Sequence, residues 1–353
     1  MSNTLPVIGI TCGDVNGVGP EIIIKALSNK AFLELCTPVV FCAGKVISYY
    51  KKNLTGFDFT YVPVRNKKIQ PGKLNLVPCW EEDIRLAPGT INTIGATYAL
   101  KSLETAASFL KEGLLEALVT APVAKSNLKE IGFGFPGQTE YFGHHFNGEP
   151  LMMMVWDQLR VVPFTGHVPL ACVPEMVTTE SLIQKIRKLA QSLRQDFQLT
   201  RPHIAVLGLN PHAGDKGAIG REEQEKIIPA LAALEADHQL LAAGPFSPDG
   251  FWASGMWRQF DAVLALYHDQ GLIPFKMLAG REGVNFTAGL SVIRTSPDHG
   301  PAFDIAGKSI ADEQSLRAAI YLAIDILRNR KFFEQATHNP LTKQEKEMAK
   351  SES

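Results

Sequence analysis

Short apolar runs alternate along this chain with longer stretches in which apolar residues recur every three or four positions. Val7-Ile8-Gly9-Ile10-Thr11 and Val39-Val40-Phe41-Cys42-Ala43 read as buried strands, as do Ala117-Leu118-Val119-Thr120, Ile204-Ala205-Val206-Leu207 and Ala262-Val263-Leu264-Ala265-Leu266. Residues 93–112 repeat apolar side chains at Ala96, Leu100, Leu103, Ala107 and Leu110, the period of a helix. Similar patterns predict helices from Pro20, over 181–197, over 221–234 and over 312–328. Met152 to Trp156 and Arg160 to Pro163 form a predicted hairpin, and further strand pieces fall near 284–294. Residues 58–90 are richer in Pro, Gly and Lys, with short strand-like pieces, and the polar tail 343–353 is expected to fray. Strands alternating with helices imply an α/β protein with a mostly parallel sheet, whose ligands sit at the carboxyl ends of the strands.

Composition narrows the function. At about 150 residues per domain, 353 residues give roughly two domains, and the absence of any low-complexity linker requires them to be closely joined. Hydrophobic residues make up 45% and charged residues 20%, enough apolar material for a large core and against disorder. A formal net charge of -1 supplies no global field for nucleic acid or an anionic membrane, while leaving room for a local basic pocket. No apolar run approaches the ~20 residues of a membrane span, and the first residues lack the pattern of a signal peptide. The five cysteines, Cys12, Cys36, Cys42, Cys79 and Cys172, include no C-x-x-C pair, so they are expected to be reduced thiols in a cytoplasm, mostly buried.

Five groups of residues carry candidate chemistry. Gly13-Asp14-Val15-Asn16-Gly17-Val18-Gly19-Pro20-Glu21 joins a strand to a helix, either as a tight turn or as a set of free N–H groups for an anion. Three histidines sit after strand-like runs, in Gly166-His167-Val168-Pro169, Asn210-Pro211-His212-Ala213-Gly214 and Tyr267-His268-Asp269-Gln270-Gly271. Neutral imidazoles suit a catalytic divalent metal, although a lone loop histidine is more often a structural hydrogen bonder. Asp269 fits a ligand, an orienting group or a base. Lys276, Asn285 and Arg294 stand nine residues apart among strand-like, apolar neighbours. Solvated surface charge explains Lys276 well and Arg294 poorly, since Arg294 lies between Val292-Ile293 and Thr295-Ser296; an acidic substrate would pair it. Asp298-His299-Gly300-Pro301-Ala302-Phe303-Asp304-Ile305-Ala306-Gly307 reads as a loop. Phe135-Pro136-Gly137-Gln138-Thr139-Glu140 reads as a loop entering a helix, with Thr139 as its cap.

Taken together, these motifs resemble the 4-hydroxythreonine-4-phosphate dehydrogenase family of vitamin B6 biosynthesis over residues 9–329. Two of them, Gly13-Asp14…Gly19-Pro20-Glu21 and His299-Gly300-Pro301-Ala302-Phe303-Asp304-Ile305-Ala306-Gly307, are also similar to the wider isocitrate and isopropylmalate dehydrogenase group. The resemblance implies that group's two-domain α/β fold, divided here into a cofactor-side domain of residues 1–135 plus 272–353 and a central domain of 136–271 with the metal ligands and dimer contacts. It implies NAD- or NADP-dependent oxidation of 4-phosphooxy-L-threonine with decarboxylation to 3-amino-2-oxopropyl phosphate. It further implies one divalent ion per site (Zn, Mg or Co) on His167, His212 and His268, shared between the subunits of a homodimer. Gln138, Thr139, Lys276, Asn285 and Arg294 would bind substrate, and Gly13, Asp14, His299, Gly300, Asp304 and Gly307 the cofactor. Asp249, Asp269 and Lys276 are the candidate bases. One departure stands out: the family's usual Gly-His-Thr-Glu is Gly137-Gln138-Thr139-Glu140 here, a neutral amide in place of an imidazole. A related substrate, a 4-phospho-erythronate or threonate, is the alternative; a metal-dependent hydrolase or a non-catalytic phosphate binder are the readings from other classes.

Overall fold

The computed structural model describes residues 5–238 and 240–338, so the 343–353 tail lies outside the described residues. Among the described residues, twelve strands form one sheet: β1 (Val7–Thr11), β2 (Thr37–Phe41), β3 (Val62–Pro63), β4 (Asn75–Val77), β5 (Ala117–Thr120), β6 (Gly148–Trp156), β7 (Leu159–Pro163), β8 (His203–Leu207), β9 (Leu241–Phe246), β10 (Ala262–Ala265), β11 (Val284–Leu290) and β12 (Arg294–Pro297). Their spatial order is β3-β4-β2-β1-β5-β12-β11-β6-β7-β10-β8-β9. The pairings are parallel toward both edges. Only the three central pairings, β12–β11, β11–β6 and β6–β7, are antiparallel. The sheet is therefore mostly parallel, as the alternation of elements predicts, and it is continuous.

Its two faces are covered differently. Residues of one parity, such as Ile8, Ile10, Val40, Val119, Met153, Phe286 and Leu264, belong to a single apolar cluster that runs the length of one face. Residues of the other parity divide into two clusters, one around Val39, Phe41 and Leu118, the other around Met154, Val161 and Val263. The register explains the gap. Leu118 neighbours Arg294, Arg294 neighbours Thr287, and Thr287 neighbours Met152. Polar side chains on β12 and β11 thus open the apolar layer on one face, because side chains alternate along a strand; on the other face Thr295, between Val119 and Phe286, is buried and donates to Ala319 O. A cleft lies at the Arg294–Thr287 interruption.

The helices follow the sequence with instructive exceptions. Helices Thr93–Lys111 and Thr179–Phe197 match their predicted stretches, the second closed by a capping box between Thr178 and Ser181. The last helix, Gln314–Thr337, runs past its predicted end. The 221–234 helix opens with a wide turn over Glu223–Ile227 before becoming regular. Residues 268–279, expected as loop and strand, form a helix, His268–Ala279, with Pro274 inside it. Tertiary packing overrides the proline there: Leu272, Phe275 and Ala279 lie in the second of the split clusters. No helix among the described residues is long and apolar enough to cross a membrane.

Candidate active site

The cleft holds about 680 Å³ and is lined by residues from both sides of the interruption, including Thr120, Gln138, Thr139, His167, Asn285, Arg294 and His299. Arg294 forms its floor and is 4% exposed. Its Nε and Nη2 donate to Thr120 Oγ1 at 2.9 and 2.6 Å, Nη1 to Thr287 Oγ1 at 3.1 Å, and Nη2 to Gln138 Oε1 at 3.1 Å. Every one of these acceptors is a neutral oxygen. Burial pushes the guanidinium down to about 10, opposed only by the through-space field of Glu140, so it is charged at neutral pH. A buried cation without an ion-pair partner among the described residues is costly unless a ligand supplies the anion.

Gln138 and Thr139 open the helix Gln138–His145. The cap position is Gly137, with no side-chain cap bond, so Thr139 is not the expected cap; it sits in the first turn and faces the cleft. Gln138 presents its carbonyl oxygen to Arg294 and its amide nitrogen lies 3.5 Å from Ala121 O. It is first of all a neutral acceptor for Arg294. Asn285, two residues from Thr287 on the same face, keeps a buried Oδ1 with no hydrogen-bond partner. Lys276 is placed differently from its two sequence companions. It lies on helix 268–279, half exposed, with Nζ 3.3 Å from Asp298 Oδ1, and it does not line the cleft.

Two of the three histidines meet. The rings of His167 and His268 are 5.2 Å apart between centroids. His268 Nδ1 lies 2.6 Å from Asp269 Oδ1; a carboxylate only accepts, so Nδ1 carries the hydrogen and Nε2 is left for a ligand. Asp269 is therefore an orienting group for His268. His167 Nε2 lies 3.3 Å from Lys125 Nζ and accepts from it. Burial, then Lys125 and His268, hold the His167 imidazole below its ordinary value, hence neutral, the form a metal requires. His212 stands apart from this pair in the turn Pro211–Gly217, where five consecutive residues, His212 to Lys216, have positive φ. Among the described residues, no three His, Cys, Asp or Glu side chains converge as a metal site. Asp249 is exposed, accepts from Ser247 Oγ at 2.6 Å and feels His212, placing it beside that turn instead of in the cleft.

The glycine-rich loop is a buried joint. Asp14 N donates to Pro122 O, Gly17 N to Asp14 O and Val18 N to Pro301 O, so these N–H groups are not free for an anion. A Cβ on Gly19 would sit 2.2 Å from Cys12 O, which is why glycine is required there. Gly13 and Asp14 are buried, with Asp14 Oδ1 accepting from Asn16 N at 2.9 Å. The tight-turn reading fits this loop. The 299–307 loop, by contrast, reaches two cavities. His299 lines the main cleft, with Nδ1 2.9 Å from Gly300 O and a buried, unpartnered Nε2. Gly307 lines a second cavity of about 250 Å³ with Tyr49, Tyr50 and Pro88. Gly300 and Asp304 are exposed on the same loop.

Several site residues escaped the sequence pattern. Thr120 was readable only as the end of a strand, and Lys125 only as a surface charge. Lys185 had a signal: it falls three residues after Leu182 and four before Leu189, on the buried face of its helix. Glu223 is buried and gathers the backbone N–H groups of Leu209 and Asn210, each at 2.7 Å, behind the His212 turn.

Comparison with known proteins settles the family. A profile described as "Pyridoxal phosphate biosynthetic protein PdxA" matches residues 34–323. A 4-hydroxythreonine-4-phosphate dehydrogenase of Bacteroides thetaiotaomicron is 44% identical over 342 residues, 96% of this chain and 93% of that protein. The chain belongs to the PdxA family. Among solved structures, the 4-hydroxythreonine-4-phosphate dehydrogenase of Klebsiella pneumoniae matches with a TM-score of 0.77 at 33% identity, covering 92% of this chain and 99% of that one. A further relative, from Oceanobacillus iheyensis, is 38% identical over 329 residues, 91% of this chain and 98% of its own, and is provisionally named a D-threonate 4-phosphate dehydrogenase.

Proposed function

We propose that this PdxA-family enzyme is a 4-hydroxythreonine-4-phosphate dehydrogenase, oxidising the hydroxyl of 4-phosphooxy-L-threonine and releasing its carboxylate as carbon dioxide, in pyridoxal phosphate biosynthesis. The observation that carries the reading is Arg294, a buried charge without an anionic partner, set beside Thr120, Gln138 and the first turn of helix 138–145. That is a receptor for a phosphate: a buried positive charge, flanking hydroxyls and a helix N-terminus.

The donor chemistry suits a divalent metal in part. His268 and His167, the latter with its Nε2 given up by Lys125, would hold it from this chain, and His212 of a second copy would complete the set, since His212 does not join the pair within one chain. The two copies of a homodimer would meet through apolar surface such as Ile273 and Met277, 57% and 80% exposed and one turn apart on helix 268–279. The dinucleotide would lie along the 299–307 loop, between the main cleft and the cavity at Gly307. Bound NAD or NADP would accept the hydride, and the metal would draw electron density from the oxidised carbon.

The chain's own groups do the rest. Arg294 and Thr120 fix the phosphate. Asn285 Oδ1 accepts a hydrogen bond from the substrate's ammonium or hydroxyl. Of the candidate bases, Asp269 is engaged with His268, Lys276 with Asp298, and Asp249 lies beside His212. Within the cleft, His299 Nε2 is the buried acceptor available to take the hydroxyl proton, its Nδ1 hydrogen being held by Gly300 O. The second reading, a threonate or erythronate 4-phosphate substrate, draws on Gln138 and the Oceanobacillus relative: Asn285 Oδ1 would accept from a hydroxyl as readily as from an ammonium. The test is Arg294→Lys. Loss of the fork should cost on the order of 2–3 kcal/mol, raising KM for the phosphorylated substrate while KM for the dinucleotide holds. An unchanged substrate KM would remove Arg294 from the site.

A further inference from the structure

Two further cations line the cleft without a carboxylate partner among the described residues: Lys125, whose Nζ is engaged with His167 Nε2, and Lys185. Lys185 projects from helix 179–197 on the side of the cleft remote from Arg294 and is half buried among the lining residues. Its Nζ donates to Phe164 O at 2.6 Å and lies 5.0 Å from the centre of the Phe164 ring. Those contacts fix the ammonium and leave two of its three hydrogens undirected. Its helix neighbour Lys188 pairs with Glu149, whereas no carboxylate among the described residues pairs with Lys185. Among the described residues, Glu140 is the one acidic residue lining the cleft, and its field acts on Arg294 and His167. Burial and Lys188 push the Lys185 ammonium down to about 8, which still leaves it mainly protonated at neutral pH.

The sheet sets the spacing. Arg294, Thr287 and Met152 are neighbours in one row, and the β6–β7 register that pairs Met154 with Val161 carries the row on to Pro163, next to Phe164. Three strand spacings of ~4.8 Å put the two backbone anchors about 14 Å apart. The Lys185 ammonium stands at the Phe164 end of that gap, and the Arg294 guanidinium at the other end, held by Thr120, Thr287 and Gln138.

We propose that Lys185 is a second anion anchor, holding the carboxylate of the substrate while Arg294 holds its phosphate. This rests on the substrate reading above. A dianionic phosphate matches the Arg294 end, where the buried guanidinium charge and its one uncommitted hydrogen are joined by Thr139 and the first turn of helix 138–145, and a single ammonium with two spare hydrogens matches a carboxylate. Holding both ends fixes the hydroxyl-bearing carbon between them, in front of Asn285 and His299.

The test compares two ligands on the full-length enzyme with NAD+ and metal: 4-phosphooxy-L-threonine as substrate, and 3-amino-2-hydroxypropyl phosphate, which lacks the carboxylate, as competitive inhibitor. Lys185→Met should raise the substrate KM by roughly 10- to 100-fold, leave KM for NAD+ unchanged and leave the inhibitor's Ki within about twofold. Lys185→Arg should retain most of the affinity. A substrate KM unchanged in Lys185→Met, or a Ki that worsens in step with KM, overturns the proposal. Should Lys185→Met fail to fold, Lys185→Gln is read by the same criteria. Failure of the phosphate reading is separate: Arg294→Lys would then leave both KM and Ki unchanged, whatever Lys185 does.

Discussion

At the scale of single residues, what separates the candidates is where each buried charge ends. Arg294 ends on neutral oxygens in a cleft, whereas Asp14 ends inside a joint between the 13–19 loop and helix 93–111, so close that a Cβ on Gly95 would lie 2.1 Å from its Oδ1. The sequence shows both as polar residues beside apolar runs; only the fold tells a ligand site from a joint. Burial raises the Asp14 carboxyl above its ordinary value. An acid raised in this way contributes a cost that grows as pH rises from the unfolded value of 3.8 through the folded one, because the folded state then binds more protons than the unfolded state. Asp14→Asn keeps the acceptor for Asn16 N and removes that cost. Its melting temperature at pH 7 should equal or exceed that of the wild type, the difference shrinking toward pH 4, with KM for NAD+ unchanged. A clear rise in KM for NAD+ would return Asp14 to the cofactor site, where the family resemblance put it. Gln138 shows the same lesson: its departure from the family motif is legible in the sequence, but its contact with Arg294 is not.

Elements were legible where the hydrophobic period is long or the run unbroken. Helices 93–111 and 179–197, the β6–β7 hairpin and the strands β1, β2, β5, β8 and β10 all follow from it. It failed where tertiary contacts decide: Pro274 masks helix 268–279, and the Pro211–Gly217 turn has no period at all. That turn is the most constrained segment near the site. Left-handed backbone costs ~1–2 kcal/mol at each residue other than glycine, so His212, Ala213, Asp215 and Lys216 need an outside restraint. Glu223 supplies it, accepting from two backbone N–H groups and from Asn210 Nδ2 at 3.0 Å. Glu223→Ala should lower unfolding free energy by about 2–4 kcal/mol and weaken metal binding, since buried donors lose a charged acceptor. Denaturant unfolding and metal titration check this; unchanged stability would mean that the turn holds itself.

For the whole molecule, the decisive feature is the sheet whose apolar layer is one cluster on one face and split on the other. The alternation Val284-Asn285-Phe286-Thr287-Ala288 encodes the break, and both it and Arg294 are plain in the amino-acid pattern. That pattern does not contain the consequence, since a row of polar groups becomes a cleft only when β12 and β11 are placed between β5 and β6. The central claim is that this cleft oxidises a phosphorylated hydroxy acid with NAD or NADP. Absorbance at 340 nm tests it most directly, with NAD+ or NADP+, a divalent metal and a panel of 4-phosphooxy-L-threonine, 4-phospho-D-threonate, 4-phospho-D-erythronate and their unphosphorylated counterparts. The account predicts reduced dinucleotide with 4-phosphooxy-L-threonine, equimolar carbon dioxide and no signal from the unphosphorylated compounds. A signal confined to the threonate or erythronate phosphate would move the substrate to the second reading. No reduced dinucleotide with any phosphorylated member, from folded and metal-loaded protein, would contradict it.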